Sequence, residues 1–220
     1  MSPDRSGAAF LPAASHDFLT PLYDIASTLL GGGPTFKRRV VDAAGIVGGD
    51  RILDLACGTG VLAIIAKQQY PKCTVIGADI DPRILDIARR RIAKAGVAVH
   101  LVCAPAERTG LDAASFDLVV CTLAFHHLPL RTKEGAVQEI VRVLRPGAAF
   151  FLVDLVPRIR PRESFTNAQA GSPKWGFATN SPRILRGLLS AAGLAVSEPS
   201  PPRPWAMGPW MYAVHGVKPA

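Results

Sequence analysis

The chain has 220 residues, a net charge of +8, 49% apolar and 19% charged residues, enough apolar material for a full core and too little charge for a disordered chain. No apolar run reaches the length of a membrane span, and the opening residues lack the basic start and apolar stretch of a secretory leader. The four cysteines, Cys57, Cys73, Cys103 and Cys121, form no C-x-x-C pair, which argues against a disulfide framework or zinc site and fits a reducing cytoplasm.

The basic excess raises two partners, nucleic acid and an anionic membrane surface. The arginines are scattered and not interleaved with an aromatic platform, so a solvated basic surface accounts for them as well.

In chain order, Met1–Ser15 is small and polar, and His16–Leu30 carries a helical stripe of Phe18, Leu19, Leu22, Ile25, Leu29 and Leu30. After Gly31–Gly33 a helix is expected over Phe36–Ala44 with a basic face of Lys37, Arg38 and Arg39. Then comes RILDLACGTG, Arg51–Gly60: an apolar run broken by Asp54, the pair Gly58 and Gly60 around Thr59, and a second apolar run. That pattern predicts a buried strand turning sharply into a helix over Val61–Tyr70, with free N–H groups at the helix start. Neither the dinucleotide fingerprint nor the phosphate-loop Gly-Lys-Ser/Thr is present. An acid at the strand end repels phosphate and suits an ammonium-bearing ligand.

Thr74–Ala78 reads as the second strand, ending at Asp79, nineteen residues after Gly60. This is the distance at which a βαβ unit delivers an acid to ribose hydroxyls. Asp81 and Pro82 predict an N-cap and first turn for a helix Arg83–Ala95. Strands follow at Val97–Cys103 and Ser115–Leu123, then AFHHL, a helix Arg131–Leu144, a turn at Arg145-Pro146-Gly147 and a strand Ala148–Val156. Pro157–Asn180 is irregular and long enough to act as a lid or binding surface. A last helix from Ser181-Pro182 to Gly193 and strands at Leu194–Glu198 and Trp210–Val217 complete the chain.

RILDLACGTG resembles the first motif of the class I S-adenosylmethionine-dependent methyltransferases. With PLYDIAS, the acid at Asp79, Phe116-Asp117 and LRPG, the pattern is most similar to the ubiquinone/menaquinone methyltransferase-like (methyltransferase type 11) branch. The resemblance implies an α/β, Rossmann-like doubly wound sheet of seven strands, mostly parallel with an antiparallel last strand. It also implies one methyltransferase domain over 1–220: an N-terminal helical cap to residue 48, a cofactor-binding core over 49–156, and a C-terminal loop, helix and two strands. The implied cofactor is S-adenosyl-L-methionine, held by Tyr23, Asp54, Ala56, Gly58, Thr59, Gly60, Asp79, Ile80, Ala106, Glu107 and Thr122. One departure stands out: the family's adenine-contacting acid is replaced by Pro105, leaving the Ala106 backbone and Glu107 for that contact.

Methyl transfer from a sulfonium is an in-line displacement that asks the protein mainly to position and desolvate. Where the acceptor must lose a proton, the candidates are His126, His127 and Asp154, at the ends of the fourth and fifth strands. No metal is called for. The expected activity is methylation of a small molecule. The alternatives are a quinone or phospholipid methyltransferase at a membrane surface, and a cofactor-binding protein without transfer. The absence of an Asn-Pro-Pro-Tyr-like motif after the fourth strand argues against a nucleic-acid substrate, and oligomeric state is left open.

Overall fold

The computed structural model describes residues 33–157, 173–198 and 211–220. Tyr23 with its helix, the arginines at 158–162 and the proline-rich stretch before Met211 lie outside the described residues. In order come α1 (Pro34–Ala43), β1 (Arg51–Leu55), α2 (Val61–Gln69), β2 (Thr74–Asp79), α3 (Pro82–Ala95) and β3 (Val99–Cys103). β4 (Phe116–Thr122), a 3₁₀ turn (Phe125–His127), α4 (Leu130–Val143) and β5 (Leu144–Leu155) follow. The described chain ends with α5 (Pro173–Ala178), α6 (Pro182–Ala191), β6 (Ala195–Ser197) and β7 (Met211–Val217).

The sheet has seven strands in the order β3-β2-β1-β4-β5-β7-β6. β1 to β5 run parallel, and β7 inserts antiparallel between β5 and β6. The order reverses between β1 and β4, which opens a crevice beyond their carboxyl ends, where sheets of this kind bind ligands. Ala56 and Leu123, just past those two ends, adopt φ of 58° and 56°, a left-handed conformation that costs a non-glycine residue about 1 kcal/mol or more.

Strand alternation assigns side chains to two layers. Ile52, Leu118, Val120, Phe151 and Val153 pack with Phe36, Val40, Leu62 and Ala66 of α1 and α2. Their neighbours Leu53, Leu55, Val119, Cys121, Phe150 and Leu152 pack on the other face with Ala136, Val137 and Ile140 of α4 and Leu185 and Leu189 of α6. By this parity Asp54 and Thr122 face α1, whereas Asp154 faces α4.

Local signals account for most boundaries. Asp81 caps α3, its carboxylate accepting from the backbone N–H of Arg83 at 2.9 Å, and Ser181 caps α6 by accepting from Ile184 at 3.4 Å. Three expectations need correction. Arg145-Pro146-Gly147 is not a turn ahead of the fifth strand. β5 already begins at Leu144, which pairs with Phe116 before the register shifts and resumes at Leu118↔Ala149. The irregularity that Pro146 and Gly147 impose is therefore absorbed inside the strand. β3 starts at Val99, not Val97. The stretch expected to be irregular through Asn180 carries a helix, α5, at its end.

Gly77, in the middle of β2, is a packing requirement that the sequence does not announce. A Cβ there would lie 2.9 Å from Cys57 Sγ and 3.0 Å from Leu101 Cδ2. Gly77→Ala is therefore expected to destabilise the protein by roughly 1–3 kcal/mol, read as a fall in the thermal midpoint.

Candidate functional site

At the end of β1, Asp54 is buried, and its Oδ2 has no hydrogen-bond partner among the described residues. Burial lifts its pKa to about 7, while the Lys37 ammonium and the backbone N–H of Ala63 in the first turn of α2 pull it back. Lys37 reaches in from α1 and donates to Thr122 Oγ1 at the end of β4. Desolvation lowers its pKa, with Asp54 opposing. Sequence alone places Lys37 with Arg38 and Arg39 on a basic face of this helix. It lies three and four residues before Val40 and Val41, on the buried stripe of α1, and that spacing was the available signal.

Between β1 and α2 the chain turns through Gly58 and Gly60 at φ of 55° and 78°. A Cβ on Gly60 would meet Ala88 Cβ at 3.2 Å, so the turn sits tight against α3. Thr59 is buried and accepts from Arg91 Nη1 at 2.8 Å. Asp79, at the end of β2, accepts from the N–H of Gly58 at 2.8 Å and of Asp81 at 3.1 Å. Burial raises its pKa. Each carboxylate oxygen keeps a further lone pair, the equipment needed for a diol. Next to it Ile80 is exposed, an apolar side chain beside the crevice.

The segment after β3 is tied to β2 by Ala104 N–H donating to Asp79 O at 2.9 Å, and a turn closes from Arg108 N–H to Pro105 O at 3.1 Å. Ala106 is half-buried within this turn. Glu107 is exposed, and its stem runs against Gly135 of α4, where a Cβ would come within 2.9 Å of Glu107 Cβ.

The three proton-transfer candidates come together on the α4 face. Asp154 is fully buried and accepts four N–H bonds. One comes from His126 Nδ1 at 2.5 Å, and the others from the backbones of Leu155 at 2.6 Å, Ala124 at 3.2 Å and His126 at 3.3 Å. A carboxylate ringed by donors fixes the proton on Nδ1 and leaves Nε2 of a neutral His126 with its lone pair. His127 packs on His126 with ring centroids 3.9 Å apart and the rings tilted by 42°. Desolvation, reinforced by His126, pushes its pKa down to about 4.

Two further residues here escaped sequence reasoning. Phe177 of α5 stands edge-on to the His126 ring at 6.4 Å. Lys133 of α4 is wholly buried and donates to Gly176 O at 2.6 Å and Thr179 Oγ1 at 3.1 Å. Burial brings its pKa down to about 7, against the pull of Asp154. Lys133 falls on the stripe of Ala136, Val137 and Ile140, so a lysine at an apolar position was the sign. Among the described residues no cluster of three His, Cys, Asp or Glu side chains forms a metal site.

The sheet order, the glycine turn between Asp54 and Asp79, and the crevice between β1 and β4 together match what a family comparison finds. Residues 52–147 match a family model described as a methyltransferase domain. Over this stretch the chain is similar to methyltransferases. The chain is 38% identical over 141 residues to a demethylmenaquinone methyltransferase of Thermus thermophilus, covering 63% of each. The chain thus spans less than two thirds of the length of that relative. A methyltransferase of Aquifex aeolicus shares the fold with a TM-score of 0.65 at 20% identity, over 90% of this chain and 96% of that one. The [4+2]-cyclase SpnF does so with a TM-score of 0.68 at 18% identity, over 92% and 96%.

Proposed function

We propose that the chain transfers a methyl group in line from S-adenosylmethionine to a small-molecule acceptor, releasing S-adenosylhomocysteine. The observation that carries this reading is the buried, unpartnered Oδ2 of Asp54 beside the Gly58–Gly60 turn, a site made for a cation at a strand end. When bound, the cofactor supplies a methyl group already activated on a sulfonium. Asp54 accepts from the ammonium of its amino-acid end, and Lys37, next to Asp54 and Thr122, is placed for the carboxylate. Asp79 accepts from the ribose hydroxyls, and Ile80 offers the adenine an apolar face. The Pro105 turn contributes backbone and the Ala106 side of the pocket, without the usual acid.

On the α4 face, His126 takes the proton that the acceptor loses, while Asp154 holds its tautomer and steadies the imidazolium. The similarity to a demethylmenaquinone methyltransferase points to an aromatic quinol as acceptor, in which a ring carbon gains the methyl and loses a proton. The exposed Arg38 and Arg39 on α1 and the net charge of +8 favour a membrane-surface version of this reading. No helix among the described residues is long and apolar enough to cross a membrane.

The test is calorimetric titration of S-adenosylhomocysteine into the wild-type protein and into Asp79→Ala. Micromolar binding is expected for the wild type. Weakening by at least about tenfold, ~1.4 kcal/mol, is expected for the variant. Absence of binding to the wild type overturns the reading. Binding without turnover across a panel of quinols and phenols leaves a cofactor-binding protein, or a fold turned to another reaction.

A further inference from the structure

We propose that Lys133 is a positioning residue for the acceptor side of the site: by holding the end of α5 it seats Phe177 against the His126 imidazole. This wall then limits what can approach the imidazole. The inference rests on the methyl-transfer reading for its purpose, but its geometry stands on named contacts.

α5 is a helix of six residues and too short to hold itself together. Its last carbonyls need partners, and the Gly176 carbonyl finds one in the Lys133 amine at 2.6 Å. The same nitrogen donates to Thr179 Oγ1, whose hydroxyl in turn donates to Gly176 O at 3.2 Å. Cations are favoured at a helix C-terminus, and this one comes from a neighbouring helix, not from α5 itself. The lysine is 0% exposed, so its three donors have no water to fall back on.

Two more contacts fix where the held segment sits. Gly176 lies directly on the 3₁₀ turn: a Cβ there would be 2.6 Å from His126 O and 2.9 Å from His127 O. Asn180 Nδ2 donates to Leu155 O at 2.6 Å, next to Asp154 in β5. Between these anchors Phe177 stands edge-on to His126, whose side chain is 13% exposed, while Phe177 itself remains 37% exposed toward solvent. An open aromatic beside the imidazole that would take a proton is a packing surface for an incoming acceptor. The hydrogen bonds of Lys133 go to Gly176 and Thr179, not to His126, so beside its electrostatic pull on Asp154 its influence passes through α5.

The experiment compares Lys133→Met, Phe177→Ala and the double variant, using diethyl pyrocarbonate as the probe and mass spectrometry to read each histidine. In both single variants carbethoxylation of His126 is expected to accelerate about tenfold, and the double variant is expected to be no faster than either, because the two residues act as one unit. His100, on β3, serves as the internal control and should keep its wild-type rate. The ring proton resonance of His126 is a second readout: both single variants should move it to the same position as the Phe177 ring leaves. An unchanged His126 rate in Lys133→Met, or additive effects in the double variant, overturns the proposal. If Lys133→Met fails to fold, Thr179→Val removes part of the latch without deleting the lysine and should give a smaller acceleration of the same kind. No acceleration in that variant also overturns the proposal. Titration of S-adenosylhomocysteine into Lys133→Met should match the wild type within about twofold. Failure of the wild type itself to bind refutes the methyl-transfer reading and leaves the chemical-modification result to decide the role of Lys133.

Discussion

His126→Ala is expected to lower kcat by roughly 10²- to 10⁴-fold, the usual contribution of a positioned general base, while S-adenosylhomocysteine binds as in the wild type. The ring lies on the α4 face of the sheet, whereas Asp54 and Thr122 project to the α1 face, so its loss leaves the proposed cofactor contacts standing. Asp154→Asn is the sharper probe of how the base is built. The asparagine can present an N–H where the carboxylate oxygen accepted from Nδ1, which turns the imidazole to the wrong tautomer and leaves Nε2 protonated. Its kcat should fall nearly as far as that of His126→Ala. It should also lose stability, because three backbone donors share the same buried carboxylate. Steady-state kinetics on a quinol acceptor, beside thermal melts, separates the two effects. A His126→Ala enzyme with wild-type kcat would show that the acceptor needs no base.

The second large effect concerns Asp54. Asp54→Asn is expected to weaken S-adenosylhomocysteine binding by about 100-fold or more, as removal of one partner from a buried charge pair does. The affinity of the wild type should also depend on pH in a definite direction. Burial raises the folded-state pKa of Asp54 to about 7, so the free protein favours the protonated acid below that value. Such a group stabilises the fold fully below its ordinary pKa, and that stability is lost as pH rises through about 7. An entering ammonium favours the ionised form. Binding therefore releases a proton at acid pH, and affinity climbs from about pH 5 to about pH 7 before levelling. In Asp54→Asn this slope should be gone. Calorimetry in two buffers of different ionisation heat measures the proton release directly, and a slope that persists in the variant would assign it to another group.

What could be read in advance divides along physical lines. The crevice residues Asp54, Gly58, Gly60 and Asp79 were legible because they sit where a strand must stop and a helix must start, and the spacing between them is fixed by the length of one βαβ unit. Asp81 was legible as a cap for the same local reason. Lys37 and Lys133 were not: a charged residue on a helix is assigned to solvent by default, and only its place on the apolar stripe says otherwise. The pairing of His126 with Asp154 depends on the β4–β5 register, which places Thr122 beside Val153, a long-range fact that no local pattern contains. LRPG misled in the opposite way. Its proline and glycine are turn residues by propensity, but at the start of β5 they were accommodated as a break in register.

The alternation of β5 carries a consequence for how such a protein can diverge. Val153 belongs to the layer that packs on α1 and α2, and the next residue, Asp154, belongs to the layer that carries His126, Lys133 and Phe177. On the proposed methyl-transfer reading, donor and acceptor are thus served by opposite sides of one peptide plane. On that reading, exchanging residues along α4 and α5 retunes which molecule is accepted and leaves the proposed donor contacts on the other side in place. Libraries aimed at new acceptors belong on Phe177 and its surroundings, with Lys37, Asp54 and Asp79 held constant.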